Sequence, residues 1–320
     1  SSRTPGSGCL IDSLPGGASG PFIVARPFSS RLRTSVTQRL LSAWTWFLVA
    51  LVVVFGFLWL SVVFLATAWR DPGRYTVGRW FRRLAVASVK VNPLWDFRTS
   101  GVRIQDPRRP YVAVANHESF ADIFLISHLP WEMKWLSKEA IFKIPVMGWM
   151  MRMAGDIAVR RGDRRSRAQA LEDCRDRLRK EVTVIILPEG TRSPDGELLP
   201  FHPGAFKLAV ELGLPILPMV VAGTRNAMPK GSLLFNRARA EVRVLEPVST
   251  EGLGPGDVRE KGLGLGIAVE QAVFAALLVV QHKADRHARP PWPVGGGGRG
   301  AVAGEITRVA GGIGHVRACQ

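Results

Sequence analysis

The sequence predicts an α/β fold, in which a central mixed sheet is flanked by helices and preceded by an N-terminal membrane helix or helical hairpin. The first observation behind this fold class is an uncharged stretch, residues 40–69, which is longer than the about 20 apolar residues that a membrane-spanning helix needs. The second is that short apolar runs alternate with segments of helical periodicity after this stretch. Buried strands connected by helices produce this alternation.

Composition divides the chain into four parts. Residues 1–38 are basic and rich in Ser, Gly and Pro, and residues 286–320 are rich in Gly and Pro, so both ends are predicted to be disordered. Residues 39–92 are predicted to form a membrane anchor and an interfacial helix, and residues 93–285 a single folded domain. The three cysteines have no C-x-x-C spacing, which argues against a zinc site or a disulfide framework and fits a reducing, cytosolic environment.

The uncharged stretch is interpreted as an anchor that stays in the membrane. It is about twice as long as the 7–15 apolar residues of a cleavable signal peptide, and a core helix of this length would carry a polar face. Arginines lie on both sides of the stretch, so its orientation stays open, and a hairpin turning near Gly56 fits the charges as well as a single span does. The next segment, residues 75–91, mixes arginines with apolar residues, which suits either a basic helix on an anionic lipid surface or a helix packed on the domain.

Five buried strands and four helices are predicted after this region. The strands are short apolar runs at residues 111–115, 156–159, 182–187, 216–221 and 242–245. The helices are predicted at residues 119–129, 164–180, 204–212 and 263–282. In the last helix, four apolar residues recur at helical spacing and are predicted to cover the sheet, with membrane contact as the alternative: Val269, Val273, Leu277 and Val280.

A candidate catalytic pair follows the first of these strands. His117 lies in a turn directly after the strand, and Ser119 is placed to cap the next helix. Five helical steps would point the side chains of His117 and Asp122 apart, so the two can meet only if His117 lies before the helix. Asp122 would then hold one imidazole nitrogen, which leaves the other to take a proton from an alcohol. Taken alone, such a pair is more often structural.

Residues 187–193, L-P-E-G-T-R-S, follow another predicted strand. The glycine turn exposes backbone amides beside Glu189 and Arg192, which predicts an anion-binding site. Taken alone, the segment would indicate an ordinary glycine turn with a surface Glu–Arg pair. Its interpretation therefore depends on the motifs around it.

The two motifs together, Asn116-His117-x-x-x-x-Asp122 and then Pro188-Glu189-Gly190-Thr191-Arg192, resemble the glycerolipid acyltransferase superfamily, most closely the bacterial 1-acyl-sn-glycerol-3-phosphate acyltransferases. Residues 155–161 (G-D-I-A-V-R-R) are similar to the second motif of that family, and residues 214–218 (L-P-I-L-P) to its fourth. The resemblance covers roughly residues 70–245. Where the family often has Phe-Lys, this chain has Phe201-His202, so His202 is given no phosphate role.

The resemblance implies the transfer of a fatty acyl group from acyl-CoA or acyl-carrier protein to the sn-2 hydroxyl of lysophosphatidic acid, giving phosphatidic acid in phospholipid biosynthesis. It implies that His117 is the general base and Asp122 its orienting partner. The residues implied to hold the glycerol phosphate are Glu189, Gly190, Thr191, Arg192, Arg161 and Lys138. Several converging cationic donors suit a phosphate monoester. Neither a metal nor a redox cofactor is implied.

The resemblance also implies that residues 93–285 are the acyltransferase domain and face the cytoplasm at the inner (plasma) membrane. Its implied partners are membrane phospholipids, lysophosphatidic acid and the acyl donor; an acyltransferase with another lipid acceptor is the nearest alternative. The net charge of +17 also suits a basic, membrane-attached nucleic-acid-binding protein, but the sequence has no recognisable nucleic-acid motif, so no nucleic acid is expected. A covalent hydrolase would need a G-x-S-x-G elbow, and a zinc hydrolase would need a second ligand where the chain has Ala121.

Overall fold

A computed structural model describes residues 36–193, 197–229, 232–253 and 261–287 of the chain. The two ends predicted to be disordered fall almost entirely outside these ranges. At their inner boundaries, residues 36–38 begin the first helix and residues 286–287 end the last one. Helical structure therefore reaches slightly beyond the predicted limits of the folded part.

The uncharged stretch forms one helix of 32 residues, α1 (Val36–Thr67). The predicted alternative of a hairpin turning near Gly56 is wrong, because α1 continues through this residue. Gly56 instead allows a close approach to the next helix, α2 (Tyr75–Lys90), since a Cβ here would lie 2.6 Å from Leu84 Cδ1. The absence of a side chain at this position therefore serves helix packing.

The chain reverses its direction between α1 and α2, at residues 68–74. Asp71 caps α2 there, because its carboxylate accepts hydrogen bonds from two backbone N–H groups of the first turn, at 3.0 and 2.6 Å. Trp59 of α1 packs edge to face on Trp80 of α2, with ring centroids 5.2 Å apart. With the Gly56 contact, this pairing makes α1 and α2 an antiparallel two-helix hairpin.

Apolar side chains cover much of the outer surface of α1. Nine of its large hydrophobic residues are more than half exposed: Val36, Leu40, Trp44, Phe47, Val54, Phe55, Leu58, Val62 and Leu65. The helix is long and apolar enough to cross a membrane, with a mean hydropathy of 2.9 over its most apolar window. This surface supports attachment of the chain to a membrane.

The second arginine-rich helix, α2, packs on the domain, which is one of the two alternatives predicted for residues 75–91. Arg82 is only 4% exposed and forms an ion pair with Asp156. Arg79 donates hydrogen bonds to the carbonyl oxygens of Leu129 and Trp131, at 3.1 and 3.2 Å. Two arginines of this helix are thus directed into the protein rather than towards lipid.

The sheet has seven strands in the order β1-β7-β6-β2-β5-β3-β4. Their bounds are β1 (Trp95–Gly101), β2 (Val112–Ala115), β3 (Met133–Lys138), β4 (Ile157–Val159), β5 (Thr183–Ile186), β6 (Ile216–Ala222) and β7 (Ala238–Val244). The neighbours β6, β2, β5, β3 and β4 are parallel, whereas β7 is antiparallel to β6 and parallel to β1. The predicted mixed sheet is confirmed. Strands β1 and β3 were not predicted.

Helices cover both faces of this sheet. Their bounds are α3 (Asp122–Ile126), α4 (Glu139–Phe142), α5 (Met147–Ala154), α6 (Arg164–Arg179), α7 (Gly204–Leu212) and α8 (Lys261–His287). On one face, α6, α7 and α8 bury side chains such as Cys174, Phe206 and Val273 against the strands. On the other face, Leu125 and Ile126 of α3 do so. The short helices α4 and α5 were not predicted.

Helix α8 contributes to the core through the face that the sequence predicted. The four apolar residues at helical spacing in α8 are all buried in the core on the sheet: Val269, Val273, Leu277 and Val280. Residues 264–281 of α8 are also long and apolar enough to cross a membrane. Because this face is buried against the sheet, the predicted packing role is confirmed.

Candidate active site

The carboxyl ends of the parallel strands meet at one edge of the sheet, and the residues predicted for the site lie along it. His117 follows β2, residues 189–192 follow β5, Lys138 ends β3 and Arg161 follows β4. Since these strands are neighbours in the order β2-β5-β3-β4, His117 lies at one end of the row and Arg161 at the other. The sheet thus gathers all the predicted site residues along one edge.

His117 and Asp122 form the predicted pair. The imidazole Nδ1 lies 2.7 Å from Asp122 Oδ2, and the histidine precedes α3, as the spacing required. Since a carboxylate accepts hydrogen bonds, Nδ1 carries the proton in this contact and Nε2 presents a lone pair. The histidine side chain is 14% exposed and that of Asp122 is fully buried. The pair can therefore act as a general base through Nε2.

The turn that carries His117 is held by Asp122 as well. Asp122 is the first residue of α3, and its Oδ2 accepts from the backbone N–H groups of Glu118 and Ser119, at 2.9 and 3.1 Å. The predicted cap by Ser119 is wrong: the capping position is Ala121, and the Ser119 hydroxyl accepts from the N–H of Ala121 at 3.3 Å. The helix starts later than predicted because the Asp122 carboxylate holds these amides in a turn.

The turn after β5 is bonded directly to the turn after β2. Glu189 accepts from the backbone N–H of His117 at 2.6 Å and from that of Leu199 at 3.1 Å. Gly190 has a φ of +68°, and a Cβ there would lie 3.2 Å from the ring of His202. The segments 116–122 and 188–192 are therefore joined by a hydrogen bond.

The side chain of Glu189 binds backbone amides of two other segments. Its side chain is buried, at 4% exposure, and both carboxylate oxygens accept from backbone amides. Burial raises the pKa of this carboxyl, against the lowering effect of those two hydrogen bonds. The carboxylate thus holds the His117 turn through these amides, and its implied contact with the glycerol phosphate stays a prediction.

Two arginines form the cationic part of the edge. Partial burial lowers the pKa of Arg161, and the positive charge of Arg192 lowers it further, so the two guanidinium groups are within electrostatic range of each other. Within the described ranges neither has a carboxylate partner, whereas the neighbouring Arg160 pairs with Glu139 at 2.9 Å. Two unpaired guanidinium groups at one point can bind a dianionic phosphate.

The remaining predicted residues lie on the same edge without such contacts. Lys138 is exposed at the start of α4, and Thr191 is exposed beside Gly190. In the described part of the chain no ion pair involves Lys138. Along this edge Arg161 and Arg192 affect each other electrostatically, and Lys138 and Thr191 are exposed neighbours.

An apolar cavity opens beside the His117 turn. It lies between the two-helix hairpin and the domain, and its lining includes Val49, Val53, Phe81, Phe120, Ile123 and Met150. Polar groups contribute to the lining through Arg82, Asp156, Ser88 and Ser137. Phe120 lies in the turn between His117 and Asp122, and Ile123 follows Asp122 in α3, so the cavity is lined in part by the segment that carries the pair. Its lining suits a hydrocarbon chain.

Comparison with known proteins agrees with this geometry. A family model described as acyltransferase matches residues 97–222, which include the His117–Asp122 pair, the Glu189 turn and both arginines. This segment of the chain is thus similar to that acyltransferase family.

Two curated plant members of the family illustrate the likeness. The chain is 38% identical over 164 residues to a chloroplastic 1-acyl-sn-glycerol-3-phosphate acyltransferase of Brassica napus, covering 51% of this chain and 48% of that protein. It is 37% identical over 180 residues to a chloroplastic 1-acyl-sn-glycerol-3-phosphate acyltransferase of Arabidopsis thaliana, covering 56% and 50%. The chain thus spans about half the length of the curated relatives that it matches.

A solved structure of the family matches the fold. It is the crystal structure of the 1-acyl-sn-glycerophosphate (LPA) acyltransferase PlsC from Thermotoga maritima, with a TM-score of 0.63 and 26% identity. The match covers 81% of this chain and 99% of that one. The α/β architecture of this chain is therefore shared with that structure.

Sequence reasoning missed two residues that support the pair. Asn116 cross-links β2 to β6 by donating to the carbonyl oxygen of Val221 at 2.8 Å and accepting from its N–H at 2.7 Å. Thr224 follows β6 at the same edge and donates a hydrogen bond to Asp122. Asn116 lies in the segment 116–122, and Thr224 follows Gly223 after a predicted strand. A polar residue at the end of a predicted strand was the signal that could have identified both residues.

Proposed function

We propose that the protein transfers a fatty acyl group from acyl-CoA or acyl-carrier protein to the sn-2 hydroxyl of 1-acyl-sn-glycerol-3-phosphate, forming phosphatidic acid. One observation carries the proposal: the His117–Asp122 pair, with Nδ1 2.7 Å from Oδ2, shares a sheet edge with the unpaired guanidinium groups of Arg161 and Arg192. A base for an alcohol and a site for a phosphate are the two requirements of this acceptor.

The chemical step follows from the free nitrogen of His117. Nε2 takes the proton of the acceptor hydroxyl while the hydroxyl oxygen attacks the thioester carbonyl carbon. The tetrahedral intermediate then breaks the C–S bond, and the departing thiolate takes the proton back from the imidazolium. Asp122 keeps the imidazole in the required tautomer and stabilises its charged form. The step needs neither a metal ion nor a redox cofactor.

The acceptor phosphate is assigned to the cationic end of the edge. Arg161 and Arg192 would share its oxygens through their planar donors, and the exposed Lys138 would add a third positive charge. Gly190 and Thr191 would contribute the turn that exposes backbone amides. Glu189 would act indirectly, by fixing the His117 amide to which it is bonded.

The apolar cavity would take an acyl chain, and α1 would keep the site at its lipid substrates. The cavity between the hairpin and the domain is lined by Val53, Phe81 and Met150. A hydrocarbon chain bound there would be removed from contact with water, which is favourable. The exposed apolar surface of α1 would contact membrane phospholipids. We place the domain on the cytoplasmic side of the inner membrane, where the acyl donors are made.

The direct test assays purified, detergent-extracted protein with acyl-CoA and with acyl-carrier protein, against a panel of lysophospholipids and monoacylglycerol. We expect turnover of lysophosphatidic acid far above that of the other acceptors. His117→Ala should lose about 10²- to 10⁴-fold in rate while staying folded, because general-base assistance contributes about that much. A wild-type preference for another acceptor would replace the phosphate assignment, and an active His117→Ala protein would overturn the mechanism.

A further inference from the structure

The hydroxyl group of Thr224 lies between two carboxylates at the catalytic edge. Thr224 is fully buried, and its Oγ1 donates a short hydrogen bond to Asp122 Oδ1. The same Oγ1 lies 3.2 Å from Glu118 Oε2. A threonine hydroxyl has a single hydrogen, so it can donate to only one of the two carboxylates.

Glu118 holds Thr224 in this position. Its Oε2 accepts from the backbone N–H groups of Thr224 and Arg225, at 3.0 and 3.3 Å. These bonds tie the turn after β6 to the turn after β2, more than 100 residues earlier in the chain. If Glu118 were ionised, it would compete with Asp122 for the hydroxyl hydrogen and place a second negative charge beside it.

We propose that Glu118 and Thr224 are positioning residues of the catalytic pair: Glu118 is protonated in the working enzyme, which commits the Thr224 hydrogen to Asp122 and keeps that carboxylate aligned on His117. The inference rests on the function proposed above. It extends the pair to four residues, because Oδ2 of Asp122 faces the imidazole while Oδ1 is held by Thr224.

The electrostatics around Glu118 agree with a neutral side chain. Burial first, and the negative charge of Asp122 second, raise the pKa of Glu118 to about 7, against the lowering effect of its hydrogen bonds to Thr224 and Arg225. Asp122 is the charged neighbour of Glu118, His117 precedes it in the same turn, and Arg225 contacts it through its backbone N–H. Glu118 therefore gains or loses its proton near neutral pH.

The first test separates positioning from folding. Thr224→Val keeps the shape and removes the hydroxyl, so we expect kcat to fall by about 10- to 100-fold, the worth of a hydrogen bond to a charged group, with KM nearly constant. Thr224→Ser restores the hydroxyl and should recover most of the rate. The control is Thr250→Val, which removes a buried hydroxyl that bonds to Leu214 O near the opposite end of β6.

Two results would overturn the positioning role of Thr224. One is a kcat for Thr224→Val that matches that of Thr224→Ser. The other is a loss of kcat in Thr250→Val as large as in Thr224→Val, since the effect would then follow from lost stability. Thermal unfolding of all three variants is measured alongside the kinetics.

The second test addresses the proton on Glu118. Glu118→Gln cannot ionise, so it stays in the neutral state at every pH. The ratio of its kcat to the wild-type kcat should rise several-fold as the pH increases from 6 to 8.5, because only the wild type acquires the competing charge. A ratio that is constant or falls over this range would contradict the proposal.

A substrate-free measurement keeps this inference distinct from the proposed function. The Nδ1 proton of His117, observed by NMR in detergent micelles, should exchange with water faster in Thr224→Val than in Thr224→Ser, since Asp122 is less firmly held. Inactive wild-type protein would refute the proposed function and leave this measurement valid. Equal exchange rates in the two variants would refute the positioning role itself.

Discussion

The side chain of Asp122 performs two tasks at once. Its Oδ2 accepts from His117 Nδ1 and from the backbone amides of Glu118 and Ser119. The imidazole orientation is therefore coupled to the shape of the turn that precedes α3. This coupling explains why Asp122 lies five positions after His117: the carboxylate stands at a helix start that it helps to form, beyond the turn that carries the histidine.

Asp122→Asn is the sharpest substitution for this pair. The amide keeps one acceptor but no longer stabilises the imidazolium or enforces the tautomer, so we expect kcat to fall by about 10²- to 10⁴-fold with a small change in KM. Steady-state kinetics on lysophosphatidic acid check this. Asp173→Asn on α6, where the carboxylate bonds to Gln169, is the matched control and should behave like the wild type. Unchanged kcat in Asp122→Asn would restrict Asp122 to holding the turn.

Arg192→Lys tests the phosphate site at the same scale. Lysine keeps the charge but loses the planar two-pronged donor, so we expect a large fall in kcat/KM on lysophosphatidic acid. Monoacylglycerol has no phosphate, so its slow turnover should change little. Arg160→Lys is the matched control, because Arg160 is engaged by Glu139. If both acceptors lost activity by the same factor, Arg192 would be serving the fold or the thioester.

At the scale of elements, two helices are apolar enough to enter a membrane, and their packing distinguishes them. The most apolar window of α1 is 17% buried, and that of α8 is 28% buried. α8 uses one face for the sheet, on the side opposite to α3, whereas the inner face of α1 packs on α2 through Gly56. A membrane that covers the outer face of α1 lies on the side of the hairpin and the apolar cavity.

Substitutions on the outer faces of the two helices test which one attaches the protein. Replacing Phe47, Phe55 and Leu58 of α1 by Gln should move the protein from vesicles to the soluble fraction, because exposed apolar area contributes about 25 cal/mol per Å² of surface removed from water. The matched variant replaces Ile267, Phe274 and Leu278, which are exposed on α8, and should stay bound. Vesicle flotation at low and high salt measures both. Release of the α8 variant alone would assign the anchor to α8.

At the scale of the whole molecule, a buried cluster of four charged side chains joins the hairpin to the sheet. Arg82 of α2 pairs with Asp156, which also accepts from the N–H of Trp135 at 3.0 Å. Lys134 of β3 lies 3.0 Å from Glu132 and donates to two backbone carbonyls. Burial lowers the pKa of Lys134 and raises that of Glu132, and the opposite charge of each partner counteracts this shift. The cluster has equal numbers of positive and negative groups.

Breaking this cluster should cost more than breaking an exposed ion pair. Asp156→Ala leaves Arg82 buried without its partner, so we expect a loss of about 3–5 kcal/mol in the free energy of unfolding. Glu211→Ala removes an exposed pair with Arg175 and should cost about 1 kcal/mol or less. Replacing Arg82 by Met and Asp156 by Leu in one variant should reduce the free energy of unfolding less than Asp156→Ala does. Urea unfolding in detergent measures the free energy of unfolding of each variant. Equal losses in Asp156→Ala and Glu211→Ala would contradict the prediction.

The sequence by itself determined the features that depend on contiguous residues. The apolar stretch of α1, the five predicted strands and the buried face of α8 each follow from a periodicity read along one segment. The His117–Asp122 pair could be predicted because both residues flank one turn, so their distance depends on local geometry alone. The family resemblance rested on motifs of the same local kind.

Only the tertiary structure decided the features that depend on pairing between distant segments. Lys134 lies fully buried in strand β3, although a charged residue in the sequence predicts an exposed position. The burial is possible because Glu132 and backbone carbonyls from other elements balance the charge of Lys134. Glu189 accepts a hydrogen bond from the amide of His117, and Thr224, which follows a different strand, donates one to Asp122. Hydrogen bonds of this kind are determined by which strands become neighbours, and strand order is a property of the whole sheet.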